Sequence, residues 1–358
     1  MEIEKSFLSS DKLKPLPRDA TQLEFGKTFT DYMFTMEYRF GEGWTHAQIK
    51  PYQPLALEPA TMIFHYSQAV FEGQKAYRSA DDDILLFRPY ENARRINRSM
   101  VRLGMSTIPE DIFVQAECEL LKVEKRWIPT QKGTSLYIRP VVIATEALIG
   151  AIQPSDSYLF FIILSPVGFF YREGFNPVKL IVEKDYTRAA SGGTGEAKTG
   201  GNYAGTIVAT QNANRKGYSQ VLWLDAKERR HVEEVGTNNI FFVIDDKLVT
   251  PPLTGTILPG VTRKSVLEMA DDLDIATEER LISIEEVVTG IESGRVKEAF
   301  GSGTAAVISP VGIISYNDKE YVINNNETGV WTQRFFDILT GIQYGELEDK
   351  YGWSYKVV

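Results

Sequence analysis

The lysine at position 198 lies in an unusually glycine-rich segment. Residues 191–202 read SGGTGEAKTGGN and include five glycines. Because glycine loses more conformational entropy on folding than any other residue, this density indicates positive φ angles or a close approach of the backbone to another group. A flexible surface loop would account for the glycines, but it would leave the lysine without a role. The segment is therefore a candidate site for lysine chemistry.

A phosphate-binding P-loop is one interpretation of this segment. Starting at Gly192, the sequence misses the pattern G-x-x-x-x-G-K-[ST] by one residue, because Ala197 stands where the second glycine must be. The side chain of Ala197 would hinder the approach of the backbone to a phosphate. Gly200 and Gly201 would also weaken the helix that must follow, by roughly 1 kcal/mol each. We therefore exclude a P-loop.

A lysine that forms a Schiff base with pyridoxal phosphate is the other interpretation. The amine of Lys198 must then reach a planar ring that lies close to the backbone, and glycines leave room for that ring. Such a site needs an acid to hold the pyridinium proton, and it needs cationic or backbone donors to hold the phosphate. The sequence downstream of Lys198 offers candidates for both.

The candidate acids are two adjacent glutamates, Glu233 and Glu234, in a predicted hairpin strand. Because side chains alternate between the two faces of a strand, we expect only one of them to point inward. A solvated acidic strand edge is the structural alternative.

Two turns offer donors to an anion. Gly260 precedes Val261 and Thr262 at the opening of a predicted helix, where free N–H groups and the helix dipole favour negative charge. Further along, a Gly-Ser-Gly-Thr turn offers the amides of Thr304 and Ala305. Helix capping and a tight surface turn would explain the same residues without a ligand.

The composition excludes several classes of protein. The 358 residues carry 39 Lys and Arg against 48 Asp and Glu, a formal net charge of −9, which argues against a nucleic-acid-binding protein. A single cysteine and three scattered histidines give neither a disulfide scaffold nor a zinc site, so we expect no metal. The first residues include acids and have no apolar core, so we expect neither a signal nor a transit peptide, and we expect a cytoplasmic protein.

The elements that must position these residues predict an α+β fold. Apolar residues at three- and four-residue steps predict helices over 91–103 and 113–127. Runs rich in branched and aromatic residues predict strands over 84–87, 135–145 and 158–164.

The second half of the chain predicts hairpins followed by helices. VLWLD and HVEEV form one predicted hairpin, and IFFVI and LVTP form another. Helices are predicted over 264–273, over 283–291 with a Ser283/Glu286 capping box, and over 330–342. Because proline and glycine concentrate at 165–177, we place an N-terminal domain at 1–168, a connection at 169–178 and a C-terminal domain at 179–358.

Seven segments, in order and spacing, resemble the branched-chain-amino-acid aminotransferases. These are FHYSQAVFEG (64–73), LFRPYENARRINRS (86–99), LYIRP (136–140), GGTGEAKTGGNYA (192–204), EEVGTNNIFF (233–242), LPGVTR (258–263) and FGSGTAAVISPV (300–311). The resemblance implies a pyridoxal 5'-phosphate enzyme of fold type IV. That fold has a smaller N-terminal α/β domain and a larger C-terminal domain with a barrel-like sheet.

The resemblance also implies the roles of individual residues. Lys198 corresponds to the Schiff-base lysine and proton shuttle, Tyr203 to the phenol beside the cofactor's 3-oxygen, and Glu234 to the partner of the pyridine nitrogen, with Glu233 as its outward neighbour. Arg95 is similar to the phosphate arginine, whereas Arg94 fits a solvated helix face. The other implied cofactor contacts are Thr237, Val261, Thr262 and Thr304.

On the substrate side, the resemblance implies the residues Tyr66, Phe71, Tyr137 and Arg139, with the amides of Thr304 and Ala305 receiving the substrate carboxylate. It implies ping-pong transfer of an amino group from leucine, isoleucine or valine to 2-oxoglutarate, by a homodimer. Phe170 stands where relatives commonly have tyrosine. Two alternatives stay open: another fold type IV activity, such as a D-amino-acid aminotransferase or aminodeoxychorismate lyase, and a non-catalytic module that binds an anion.

Overall fold

The computed structural model describes residues 1–150, 152–168 and 175–358, and the chain forms two units. Unit 1 comprises Met1–Phe170, Ala197–Gly200 and Gly341–Val358, and unit 2 comprises Tyr171–Glu196 and Gly201–Thr340. The predicted connection at 169–178 lies partly outside the described residues, as does Phe170, so the boundaries at 168 and 179 stay a prediction.

Unit 1 is built on one mixed sheet. Its strand order is β1-β3-β2-β8-β7-β5-β6-β18, with β4 paired to β7. Only β1 and β3 run parallel among these pairs, and the others are antiparallel. The strands are β1 (Glu4–Lys5), β2 (Tyr32–Arg39), β3 (Gly43–Pro51), β4 (Ala69–Phe71), β5 (Gln74–Arg78), β6 (Ile84–Phe87), β7 (Ser135–Ala144), β8 (Ser157–Val167) and β18 (Ser354–Val357).

Two amphipathic helices close the core of unit 1. Both α2 and α3 bury one face, and their apolar residues join those of the central strands in one cluster. The α-helices are α1 (Met62–Tyr66), α2 (Pro89–Arg102) and α3 (Glu110–Val123), and short 3₁₀ turns occupy Ser10–Lys12, Ala20–Gln22 and Lys125–Trp127.

Unit 2 contains a closed barrel. Its sheet has the order β11-β10-β9-β16-β15-β12-β13-β14, with β17 on β16, and a further pairing of β11 with β12 closes six of the strands into a ring. The strands are β9 (Val178–Val182), β10 (Gln220–Leu224), β11 (Val232–Val235), β12 (Asn238–Ile244), β13 (Lys247–Thr250), β14 (Thr277–Glu279), β15 (Val296–Gly303), β16 (Val307–Tyr316) and β17 (Lys319–Val322). The predicted α+β class with a barrel-like sheet is confirmed.

The part of unit 2 that the structure describes contains the three predicted helices, with some shifted ends, and two further helices that were not predicted. They are α4 (Gly201–Ala204), α5 (Ile207–Arg215), α6 (Val261–Asp272), α7 (Ile284–Glu292) and α8 (Val330–Gln343), with a 3₁₀ turn at Asn324–Asn326. Only one of the two hydrogen bonds of the predicted capping box forms. The hydroxyl of Ser283 accepts the Glu286 N–H at 3.0 Å, but the Glu286 carboxylate accepts hydrogen bonds from Arg280 at 2.6 and 3.0 Å.

One expectation needs correction. Strand β8 continues to Val167, past the predicted end at Leu164, because Ser165 and Pro166 still pair with β7. Two later segments, Ala197–Gly200 and Gly341–Val358, join unit 1, where β18 pairs with β6. Within the described ranges, no helix combines the length and the apolar character needed to cross a membrane.

Candidate active site

The segment that carries Lys198 is held in unit 1 like a short added strand. Lys198 donates its N–H to the hydroxyl of Ser99 at 2.9 Å, and its carbonyl accepts the Phe71 N–H at 3.0 Å. Thr199 bridges Val70 on β4, and its hydroxyl donates to the carbonyl of Ala69 at 2.8 Å. Both backbone polar groups of Lys198 are therefore paired, and the flexible-loop interpretation is wrong for this part of the segment.

Arg95 lies on the buried face of α2 and forms an ion pair with Glu72. Its Nε and Nη2 atoms donate to the two carboxylate oxygens of Glu72 at 2.7 and 2.8 Å, and the side chains are 4% and 0% exposed. Asn92 donates to the same carboxylate at 2.8 Å. Burial alone would raise the pKa of Glu72, but Arg95 and the amine of Lys198 hold that pKa below its ordinary value. The predicted contrast with Arg94, which is exposed, is confirmed.

An aromatic ring links Lys198 to a second cation. The amine of Lys198 lies 4.9 Å from the ring centroid of Phe71, and the Arg139 guanidinium lies 4.7 Å from it. Arg139 also donates to the hydroxyl of Tyr137 at 2.9 Å, while its buried Nε has no hydrogen-bond partner among the described residues. A β-carbon on Gly73 would lie 2.1 Å from that hydroxyl, so the position of the Tyr137 side chain depends on this glycine. Four of the predicted residues thus form one group.

Tyr66 ends α1 and is half-buried against the core of unit 1. Its hydroxyl accepts the N–H of Gly150 at 2.8 Å. This hydrogen bond anchors the ring to the loop after β7.

In unit 2, the barrel strand β11 buries both of its glutamates. Glu234 is 3% exposed and Glu233 is 6% exposed. The Glu234 carboxylate accepts the Leu258 N–H at 2.8 Å and the Asn239 side-chain amide at 3.4 Å. Glu233 accepts the hydroxyl of Thr256, and burial raises its pKa. The expectation that Glu233 faces outward is wrong, because the segment around Thr256 covers that face of the strand.

Arg188 contacts the other oxygen of Glu234. Its Nε lies 2.8 Å from Oε2 in a buried ion pair. The guanidinium is 7% exposed and donates to the backbone carbonyls of Thr256 and of Gly195, the latter at 3.3 Å. A buried cation therefore opposes the Glu234 carboxylate.

The two predicted anion turns rest on neighbouring asparagines of β12. Gly260 caps α6 without a side chain, and a β-carbon there would lie 2.1 Å from the Asn239 amide oxygen. A β-carbon on Gly303 would lie 2.2 Å from the corresponding oxygen of Asn238. Glycine at both positions lets the turn backbones lie directly against β12, and the hydroxyl of Ser302 beside the second turn is buried without a hydrogen-bond partner among the described residues.

The remaining predicted residues of unit 2 differ in exposure. Val261 and Thr262 are buried in the first turn of α6, and Thr304 and Ala305 are half-buried in the turn after β15. Tyr203 is half-buried on α4, where its carbonyl accepts the hydroxyl of Thr206 at 2.7 Å. Thr237 is exposed in the tight turn between β11 and β12.

Comparison with known proteins identifies the family. The family model for amino-transferase class IV matches residues 69–314. Branched-chain-amino-acid aminotransferase 2 of Bacillus subtilis (strain 168) is 50% identical over 350 residues, which cover 98% of this chain and 96% of the relative. The chain belongs to the branched-chain group of the class IV aminotransferases.

Solved structures agree with this placement of the class IV aminotransferase. The branched-chain amino acid aminotransferase of Escherichia coli matches with a TM-score of 0.77 and 27% identity, over 92% of this chain and 99% of that one. The enzyme of Thermobaculum terrenum, solved in its PLP form, shares the fold with a TM-score of 0.74 at 24% identity, over 92% and 98% of the two chains.

Several residues that contact predicted site residues or turns within each unit of this class IV aminotransferase were not singled out from the sequence. They are Glu72, Asn92, Ser99, Arg188, Asn238 and Asn239. Each is polar and buried, and each acts on a predicted residue or turn through a contact that sequence spacing does not reveal. A signal existed only for Asn92 and Ser99, which lie three residues before and four residues after Arg95 and therefore share its helix face.

Proposed function

We propose that the protein transfers the amino group of L-leucine, L-isoleucine or L-valine to 2-oxoglutarate, giving the branched-chain 2-oxo acid and L-glutamate, with pyridoxal 5'-phosphate bound at Lys198. The observation that carries the proposal is the fixed position of the Lys198 segment in a chain that belongs to the branched-chain aminotransferases. Its backbone is fixed on both sides, while its amine lies over the ring of Phe71. A lysine that serves as nucleophile and proton carrier needs this fixed position.

The residues present fit the chemistry of the cofactor. Arg95 and the amides of Val261, Thr262 and Thr304 are the proposed phosphate ligands. The start of α6, which has no side-chain cap, and the hydroxyl of Ser302, which has no hydrogen-bond partner among the described residues, support them, because both offer donors to an anion. Glu234 is the proposed partner of the pyridine nitrogen, and Tyr203 and Thr237 are proposed to contact the ring. The buried carboxylate of Glu234 suits a partner that brings a proton to it.

The chain's own residues then perform the proton transfer. When bound, pyridoxal phosphate supplies an electron sink that stabilises negative charge at the substrate's Cα. With the cofactor bound, the amine of Lys198 would take the proton from Cα and return it at C4′, acting first as a base and then as an acid. Glu234 holds the ring-nitrogen proton throughout. Because the second half-reaction reverses the first with a different substrate, the kinetics are ping-pong.

The proposed substrate contacts divide by polarity. Phe71 and Tyr66 offer apolar surface to a branched side chain, and the amides of Thr304 and Ala305 receive the substrate carboxylate. Tyr137 and Arg139, which are hydrogen-bonded to each other, offer polar contacts to the second carboxylate of 2-oxoglutarate or glutamate. The Nε of Arg139, which has no hydrogen-bond partner in the described part of the chain, supports this division, since a buried guanidinium donor favours an anionic acceptor.

A homodimer in the cytoplasm completes the proposal. Phe64, Ile149 and Ile152 of unit 1 are 61%, 61% and 91% exposed, and apolar side chains of this size at a surface favour a partner. Sedimentation equilibrium of the wild type and of Ile152→Asp tests the assembly. We expect a dimer that the variant weakens, and a monomeric wild type would contradict it.

The decisive experiment locates the cofactor-bearing amine. After reduction of the holoenzyme with borohydride, mass spectrometry should find the cofactor on Lys198, and Lys198→Ala should lose both the label and the activity. Lys75→Met is the matched control, because Lys75 is also buried in unit 1 and burial lowers its pKa to about 8. The control should retain the label, and a label on Lys75, or none, would overturn the proposal.

A substrate panel separates the activities that use the same cofactor. L-leucine, L-isoleucine, L-valine and D-alanine are each assayed with 2-oxoglutarate, and aminodeoxychorismate is assayed alone. We expect turnover of the three branched-chain substrates. Preferential turnover of D-alanine, or release of pyruvate from aminodeoxychorismate, would place the protein in another branch of the family.

A further inference from the structure

Ser99 joins two parts of the candidate site through a single hydroxyl. The hydroxyl donates to the carbonyl of Arg95 at 3.0 Å and accepts the N–H of Lys198 at 2.9 Å. Ser99 is 1% exposed, so water does not compete for these bonds. The helix turn that presents Arg95 and the backbone that presents Lys198 therefore share one polar atom.

A hydroxyl is suited to make both contacts at full strength. The Lys198 N–H can only donate, and the Arg95 carbonyl can only accept, so the group between them must accept and donate at once. A serine in a helix commonly donates to the carbonyl four residues earlier, and this leaves its oxygen lone pairs directed outward. On α2 those lone pairs meet Lys198. Alanine would remove both bonds, and cysteine would keep only weak ones.

The same face of α2 also fixes the residue beside Phe71. Asn92, Arg95 and Ser99 follow the three- and four-residue spacing of one helix face and are all buried. Asn92 and Arg95 donate to Glu72, and Ser99 accepts from Lys198. This polar face of α2 thus positions the Lys198 segment from one side, while β4 positions it from the other.

The geometry points to Ser99 as the positioning residue for Lys198 in the transamination reaction. The inference rests on the proposed function of Lys198 and deepens it. The Ser99 hydroxyl fixes the position of the Lys198 backbone N–H relative to the helix turn that carries Arg95. It thereby limits the positions that the Lys198 amine can reach. Small displacements of a reacting group reduce rates strongly, because the productive geometry is narrow.

The test compares Ser99→Ala with a variant that loses the same type of bond elsewhere. Thr340→Val is the matched control, because the Thr340 hydroxyl donates to the carbonyl of Phe336, four residues earlier in α8, at 2.7 Å. Three quantities are measured on holoenzyme: kcat and KM for L-leucine, the pH midpoint of the visible absorption of the Lys198-bound cofactor, and the rate of cofactor release. The last two do not depend on turnover.

We expect Ser99→Ala to lower kcat about tenfold, equivalent to about 1.4 kcal/mol, with KM within about twofold of wild type. The pH midpoint should shift and cofactor release should accelerate, while Thr340→Val matches wild type in all three. Ser99→Thr keeps the hydroxyl and should recover most of kcat, and Ser99→Cys should lie between wild type and alanine.

The outcomes separate this inference from the proposed function. If wild type carries no cofactor on Lys198, the proposed function fails. If wild type carries it there and Ser99→Ala shares its kcat, pH midpoint and release rate, the positioning role of Ser99 is refuted. Urea unfolding verifies that each variant folds. Should Ser99→Ala not fold, a folded Ser99→Cys with wild-type values in all three measurements would refute the role equally.

Discussion

Replacing Arg95 with glutamine is expected to reverse the pH dependence that Glu72 gives to the stability of the protein. In wild type, burial works to raise the pKa of Glu72, and Arg95 outweighs it and holds that pKa low. Glu117 illustrates burial without an arginine. It is fully buried, it accepts a hydrogen bond from Gln74 at 2.6 Å, and burial raises its pKa well above the usual value. Arg95→Gln should make Glu72 behave like Glu117.

The sign of the effect follows from proton binding. A carboxyl whose pKa is lower in the folded state stabilises the fold above the unfolded value of about 4.3, and the contribution disappears as the pH falls. A carboxyl whose pKa is raised by folding has the opposite effect, and stability decreases as the pH rises above that value. The Glu72 contribution should therefore favour neutral pH in wild type and acidic pH in Arg95→Gln.

The magnitude follows from burial. Because the Arg95 and Glu72 side chains are 4% and 0% exposed, solvent screening does not reduce the loss. Removing one partner of such a pair destabilises a protein by about 3–5 kcal/mol, since the other charge stays buried. We expect a loss of this size at about pH 8, and a smaller loss at about pH 5, where Glu72 in the variant takes up a proton.

Urea unfolding of the cofactor-free protein at both pH values measures this effect, because bound cofactor would add its own stabilisation. Arg94→Gln is the neighbouring control. Arg94 pairs with Glu91 at 3.2 Å while 47% exposed, so its replacement should change stability by less than about 1 kcal/mol. The double variant Arg95→Gln/Glu72→Gln removes both charges and should recover most of the loss. A loss equal to that of Arg94→Gln at both pH values would refute the reasoning.

Three further changes test other parts of the structure. Burial raises the pKa of Glu124 to about 7, so its stabilising contribution falls as the pH rises from about 4.3 to about 7. In urea unfolding, Glu124→Gln should gain about 3 kcal/mol on wild type across that window, and parallel pH profiles would contradict this. Gly73→Ala brings a β-carbon 2.1 Å from the Tyr137 hydroxyl. Steady-state kinetics should show a several-fold higher KM for 2-oxoglutarate, and an unchanged KM would exclude the clash. Glu298 accepts the N–H groups of Trp331 and Thr332 at 3.0 and 2.9 Å, so Glu298→Gln should lower the unfolding free energy by about 1–2 kcal/mol, and no change would exclude a capping role.

Much of the fold could be predicted because local sequence patterns specify many of its helices and strands. The strand at 84–87 and the helix around residues 91–103 follow from branched residues and from a helical stripe. The end of β8 could not be found this way, because Pro166 reads as a break in sequence but lies opposite Leu136 in the sheet. Helix α6 begins at Val261, where the Gly260 turn predicted its opening, and three residues before the start that the helical pattern alone gave, since Gly260 serves as the N-cap. Tertiary pairing and cap geometry decided both ends.

The candidate site likewise has one part that local sequence patterns predict and another part that depends on tertiary contacts. The glycine-rich setting of Lys198 is a local pattern, and it was visible in the sequence. The contacts that fix Lys198 are not local, because its hydrogen bond to Ser99 spans 99 residues and the bond between Arg95 and Glu72 spans 23. The burial of Glu233 was also missed. Strand alternation predicts that Glu233 and Glu234 lie on opposite faces of the sheet, but it does not show that another segment covers the Glu233 face.

The polar face of α2 explains why this helix carries charge into a core that apolar packing would stabilise equally well. Replacing a buried ion pair with well-packed apolar residues is often neutral or stabilising, so Arg95 and Glu72 are weak contributors to stability as a pair. The effect of this ion pair is instead to fix the orientation of the two side chains. A guanidinium with two of its donors bound to one carboxylate has a fixed plane, and a backbone N–H bound to a buried hydroxyl has a fixed position. An apolar face could fix neither the plane of the guanidinium nor the position of the N–H. The polar residues of α2 therefore orient Arg95 and Lys198, although apolar residues would pack as well. Substitutions on this face should therefore affect the chemistry more than the melting of the protein whenever they remove both charges of the pair together.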